Sequence, residues 1–160
     1  MKRISLLFAV LLTLALFTLS GCIRREKTAA DLTIEALESV FDGHFDLNTM
    51  HSADSEYIEH TLNLTPESYI SGVMKVPTGT NQDEYGAFIA QPGNEGSVSA
   101  ALTTYLGNRR GSWMDEYLPE EKHKLWDAIV ITDGKYAYYV IADTETREAV
   151  KDAIHKRLYE

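Results

Sequence analysis

The chain has 160 residues, with 24 acidic against 15 basic side chains and a formal net charge of −9. So acidic a body lacks the basic face that a phosphate backbone requires, which excludes nucleic acid as a partner. A single cysteine excludes any internal disulfide.

In chain order, Lys2 and Arg3 form a short positive start, followed by an apolar stretch from Ile4 to Leu19 broken only by Ser5, Thr13 and Thr18. A membrane-spanning helix needs about 20 apolar residues, so this run fits the core of a secretory signal better. Leu19-Ser20-Gly21-Cys22 follows it. This resembles the lipobox of bacterial lipoproteins: an aliphatic residue, two small residues, then the cysteine. Small residues let the signal peptidase approach the backbone. The thiol lies just past the apolar run, at the membrane surface, where a diacylglycerol donor can alkylate it. Residues 1–21 are therefore expected to be a signal peptide and residues 22–30 a lipidated tether. Two or three palmitate-like acyl chains at Cys22 would anchor stably, since each buried methylene contributes about 0.8 kcal/mol. Loss of Lys2 and Arg3 with the leader takes the charge from −9 to −11. An acidic body of this kind is repelled by an anionic bilayer, and only Arg24, Arg25 and Lys27 are placed to lie on headgroups.

Residues 31–160 suffice for a single domain. Asp31 to Phe41 carries Ile34, Leu37, Val40 and Phe41 at helical spacing, and Asp42-Gly43 ends that helix. His44 to Ser55 reads as polar loop, and Glu56 to Leu62 as a second short helix. Thr65-Pro66-Glu67 marks a turn or a new helical start. Val73 to Val76 and Tyr85 to Gln91 read as strands, closed by Pro77 and Pro92. Val98, Ala101, Leu102, Tyr105 and Leu106 then define a helix, continuing loosely towards Trp113 and Tyr117 and weakened by Gly107 and Gly111. His123 to Asp127 is a short link. Ile129-Val130-Ile131 has the β-branched character of a buried strand. Asp133-Gly134 signals a hairpin, with Lys135 to Ile141 as the return strand. Tyr136, Tyr138 and Val140 face one side of that strand, and Ala137, Tyr139 and Ile141 the other. Asp143 or Thr144 caps a last helix with Ala149, Val150, Ala153, Ile154 and Leu158 as its stripe.

The order is strand–strand–helix twice, after an N-terminal helical region. Each half alone would expose apolar faces. Together they make an α+β domain, an antiparallel sheet of about four strands with helices packed on it. Its expected core is Val76, Phe88, Leu102, Ile129, Ile131, Val140, Val150 and Ile154.

Several of these features occur together in one family. Leu64-Thr65-Pro66-Glu67 precedes the Val73-to-Pro77 strand, and the Glu84-to-Ala90 strand leads into a long helix. Tyr117-Leu118-Pro119 precedes the Trp126-to-Thr132 strand. Asp133-Gly134, Tyr138-Tyr139-Val140-Ile141 and a terminal helix complete the set. Over about residues 31 to 158 the chain resembles the small lipoproteins grouped as domain of unknown function 4358, common in clostridia and their relatives. The resemblance implies an exported lipoprotein on a Gram-positive surface, and no activity.

Chemistry-bearing motifs are sparse. G-x-S-x-G, S-x-x-K, H-E-x-x-H, an EF-hand loop and a glycine-rich phosphate loop are all absent from the sequence. The sole thiol is assigned to the anchor, which leaves no Cys/His catalyst. Asp42, His44 and Asp46, with His51, Asp54 and Glu56 nearby, offer imidazole and carboxylates of the kind that bind zinc or manganese. In an extended chain the first three would point to one side. The alternative is a solvated polar loop. Asp83-Glu84, Asp115-Glu116 and Glu120-Glu121 read as solvated surface. Trp113, Tyr117, Trp126 and the tyrosines of the last hairpin offer either core or a sugar- or peptide-binding face.

These readings favour a non-catalytic binding or accessory module, lipid-anchored at the outer face of the cytoplasmic membrane and carrying no cofactor. A surface protein, a peptide or a cell-wall component is the expected partner. The alternative is a metal-dependent extracytoplasmic enzyme using Asp42, His44 and Asp46.

Overall fold

The structure, a computed structural model, describes residues 29–160. The leader motif and Cys22 lie outside the described residues. The elements in order are α1 (Ile34–Asp42), a 3-10 turn (Leu47–Thr49), β1 (Met50–Ser52), α2 (Ser55–Leu62) and a second 3-10 turn (Pro66–Ser68). They continue with β2 (Tyr69–Pro77), β3 (Glu84–Ala90), α3 (Glu95–Gly111), α4 (Lys122–Trp126), β4 (Ile129–Asp133), β5 (Tyr136–Ile141) and α5 (Thr144–Tyr159).

The fold is α+β, as the sequence pattern implies, with a five-stranded antiparallel sheet in the order β1-β2-β3-β5-β4. β3 and β5 are central, and every residue of both is buried. The alternation read from β5 is realised. Tyr136, Tyr138 and Val140 join the core under α1 and α5, while Ala137, Tyr139 and Ile141 join the core under α2, α3 and α4. The molecule is therefore three layers, helices over both faces of the sheet.

Four expectations need correction. The stretch read as polar loop contains the edge strand β1, three residues whose only buried side chain is Met50. So short a segment shows no period. Ile129 and Ile131 are only half-buried, because β4 is the opposite edge strand and covers its neighbours from one side. α3 runs unbroken through Gly107, which faces open space, and stops at Gly111 before Trp113. The hairpin loop is Gly134-Lys135, since Asp133 still pairs with Tyr136. Gly134 supplies the positive φ of 57° at the first loop position, the sign that a type II′ turn needs there.

The two ends of the sheet carry different things. The β4–β5 turn end receives the first described residues: Ala30 N–H donates to the Leu158 carbonyl, and the Tyr136 hydroxyl donates to the Ala30 carbonyl. The opposite end, where β3 starts and β5 finishes at the Glu84–Ile141 pair, collects the C-terminus of α3, all of α4 and the loop between them.

Candidate functional site

At that second end, β3 begins with a carboxylate inside the protein. Glu84 is fully buried, on the α3 side of the sheet. Its Oε1 accepts from the hydroxyls of Tyr105 and Tyr139, both at 2.6 Å. Its Oε2 is ion-paired with Arg109. Arg109 also donates to the Tyr105 hydroxyl at 2.8 Å and to Gln82 Oε1 at 3.0 Å. Tyr105 and Arg109 stand four residues apart on α3, so the helix presents both on one face. Gly86 makes room for the ring opposite it: a Cβ there would lie 2.4 Å from Tyr139 Cε1. A buried carboxylate is tolerated only when paired and fully hydrogen-bonded, and here it is. Burial and the Glu84 charge push the Tyr139 hydroxyl far above the ordinary tyrosine range, and Tyr105 rises for the same two reasons. Both stay protonated donors, so the cluster is a closed structural network. The sequence assigned Asp83-Glu84 to solvated surface; Glu84 is corrected to core. The Tyr105–Arg109 spacing beside Leu102 and Leu106 was the available signal.

Next to it, Lys124 is buried between Asp83 at 2.9 Å and Glu121 at 3.0 Å. Burial works against its charge, but the hydrogen bonds and charges of those two acids outweigh it and hold its pKa above the usual lysine value. His123 Nε2 is 2.7 Å from Asp143 Oδ1. Asp143 precedes α5 but makes no side-chain cap bond there, because its carboxylate faces His123 instead. Arg110 turns inward to the carbonyls of Leu125 and Ala128, fastening α4 to α3.

The residues singled out as metal ligands are not brought together. Asp42 accepts from Lys75 and from the Tyr85 hydroxyl, each at 2.7 Å. Asp46 caps the Leu47–Thr49 turn through the Asn48 N–H. His44 lines a groove of about 650 Å³ between α1 and α5, with Val40, Ala153, Lys156 and Arg157. Asp54 caps α2, and His51 and Glu56 are exposed. Among the described residues no group of three His, Cys, Asp or Glu side chains is arranged to hold a metal ion. The chain is not extended here: Asp42 closes a helix and Asp46 opens a turn, so the three side chains do not share one side.

The aromatic candidates divide. Tyr136, Tyr138 and Tyr139 are core. The loop between α3 and α4 instead exposes Met114 and Tyr117, by 65% and 52%, and α4 beside it exposes Trp126, by 42%. Trp113 and Trp126 meet edge to face with centroids 6.2 Å apart. Lys122 Nζ lies 4.7 Å above the Trp126 ring and 2.5 Å from Asp115 Oδ1. Leu118 takes a left-handed φ of 49° before Pro119, a conformation costing about 1–2 kcal/mol for a residue with a side chain. The segment between α3 and β4 thus combines exposed large apolar groups with one residue in a strained backbone conformation.

A family model described as a domain of unknown function (DUF4358) matches residues 44–142. The chain belongs to this family. The matched part runs from just before β1 to the end of β5, including the Glu84 network and the α3–α4 loop, and leaves out α1 and α5. No curated protein and no solved structure matches the chain.

Proposed function

We propose that this member of the DUF4358 family is a non-catalytic binding module, held by lipid on Cys22 at the outer face of the cytoplasmic membrane. It presents the α3–α4 loop to a protein, peptide or wall partner. The observation that carries this reading is polarity along the sheet: the chain enters the domain at the β4–β5 turn, and two exposed aromatics, Tyr117 and Trp126, sit together at the far end. From Cys22 to Ala29 seven residues reach at most about 25 Å. A lipidated Cys22 would therefore keep the turn end near the bilayer, with the loop about a strand length further out. Confinement beside the membrane raises the effective concentration of that loop towards partners in the same layer. The titratable groups nearest the loop are engaged elsewhere: Glu84, Arg109 and Lys124 are tied into buried pairs. No helix among the described residues is long and apolar enough to cross a membrane.

The test is crosslinking in intact cells with wild type, Cys22→Ala and Trp126→Ala. Wild type is expected in the membrane fraction, labelled by a lipid precursor and crosslinked to a reproducible partner. Cys22→Ala should lose label and processing, and Trp126→Ala should lose the partner alone. Labelling unchanged in Cys22→Ala would refute the anchor. A partner retained by Trp126→Ala would refute the loop.

A further inference from the structure

The α3–α4 loop carries a clue to the chemistry of its partner, because it already holds a cation of its own. Lys122 Nζ sits against the face of Trp126 at 4.7 Å and on the Asp115 carboxylate at 2.5 Å. An ammonium between a carboxylate and an indole face combines a charge-assisted hydrogen bond with a cation–π contact. None of the three is sealed in: Lys122, Asp115 and Trp126 side chains or residues are 36%, 72% and 42% exposed. The seat is reachable from solvent.

The surrounding charge favours the same class of ligand. Asp115, Glu116 and Glu120 are exposed on the loop. The neighbouring cations are turned away from it: Arg109 to Glu84, Arg110 to the carbonyls of Leu125 and Ala128, and Lys124 to Asp83 and Glu121. Lys122 is the exception, and it is the one in the seat. The outer surface is left acidic and aromatic, with Met114 and Tyr117 extending its apolar part.

We propose that this loop binds the lysine or arginine side chains of a basic polypeptide segment, and that Lys122 is an internal stand-in which the partner's cation displaces. The inference deepens the binding reading above and rests on it. Displacing Lys122 costs little, since an exposed ion pair contributes little, whereas the incoming cation is held beside Asp115 and Trp126 by the partner's other contacts and so gains from both. Net affinity comes from further cations meeting Glu116 and Glu120, and from apolar stems packing on Met114 and Tyr117. Binding of this kind weakens as salt screens the charges.

The chain offers a direct readout, since its two tryptophans meet here, Trp113 in the loop and Trp126 on α4. The experiment titrates hexalysine into the full-length protein in non-ionic detergent and follows indole fluorescence. A saturable change weakened by salt is expected. Asp115→Asn should weaken it about fivefold or more, whereas Asp152→Asn, which removes the same charge from exposed α5 surface, should not. Lys122→Gln should tighten binding by vacating the seat, and Lys151→Gln on α5 should do so far less. Equal effects of Asp115→Asn and Asp152→Asn would mean that hexalysine answers only to net charge and would overturn the proposal. So would weaker binding in Lys122→Gln. A fluorescence response to neutral wall oligosaccharides, with none to hexalysine, would overturn the basic partner yet keep the loop as a binding surface. A response to neither, with Trp126→Ala still crosslinking its partner in cells, would remove both.

Discussion

Two clusters a few residues apart are built from the same ingredients. One joins Glu84, Arg109, Tyr105 and Tyr139; the other joins Asp115, Lys122 and Trp126. Each is a carboxylate, a cation and aromatic side chains. They differ in burial. The Glu84 carboxylate has no solvent exposure, and that of Asp115 is 72% exposed. In the sealed cluster every partner is committed, so its removal is paid in stability. In the open cluster water replaces any partner, so its loss costs little in folding and is felt in binding. Chemical composition alone does not separate scaffold from site; access to solvent does.

The largest expected effect comes from breaking the sealed cluster. Glu84→Ala leaves Arg109 and two tyrosine hydroxyls without their acceptor, and should cost about 3–5 kcal/mol in urea unfolding. Tyr139→Phe removes one hydrogen bond and should cost about 1–2 kcal/mol. Gly86→Ala should cost about 1–3 kcal/mol, because its methyl displaces the Tyr139 ring from above β3. A near-neutral Glu84→Ala would show that the network does not hold that end of the sheet together.

The next contrast sets core against edge. Ile154→Ala should cost about 2–5 kcal/mol, since Ile154 is 1% exposed. Ile131→Ala, on the half-buried edge strand, should cost less than half as much. Equal losses would mean that β4 is covered by something beyond the described residues.

In the open cluster, Asp115→Asn should leave stability within about 0.5 kcal/mol of wild type, as exposed pairs contribute little. A loss above about 2 kcal/mol would place the loop in the scaffold.

The smallest effect expected is on pH dependence. The hydrogen bond to Asp143 raises the His123 pKa, and the same bond lowers that of Asp143. The raised histidine contributes stability that is complete below its unfolded value near 6.5 and fades as pH rises through its higher folded value. The lowered aspartate contributes above its unfolded value near 3.8 and fades as pH falls through its lower folded value. The pair therefore stabilises most between about pH 4 and 6.5. His123→Gln should lower Tm there by no more than about 3 °C and change it little at pH 8. A larger loss at pH 8 than at pH 5.5 would reverse the assigned sign.

Much of the fold was legible because it is written in local pattern. Alternation placed both faces of β5, helical spacing located α3 and α5, and a glycine with positive φ turned the last hairpin. The order of elements likewise pointed to the family. Three-residue β1 was too short to show a period. β-branched Ile129 and Ile131 looked central because β-branching reports strand character, whereas edge or centre depends on which strands come to lie alongside. The site was less legible still. Glu84 sits beside Asp83 in a chain full of acids, and only the approach of α3 and β5 gives it partners and removes it from water. Trp126 and Tyr138 are both aromatics among apolar neighbours. One is a surface and the other a core because α4 lies at an end of the sheet and β5 at its centre. Sequence periodicity determines which residues share a face of an element. Whether that face meets protein or solvent is settled by contacts between residues far apart in the chain, and only the tertiary structure supplies those.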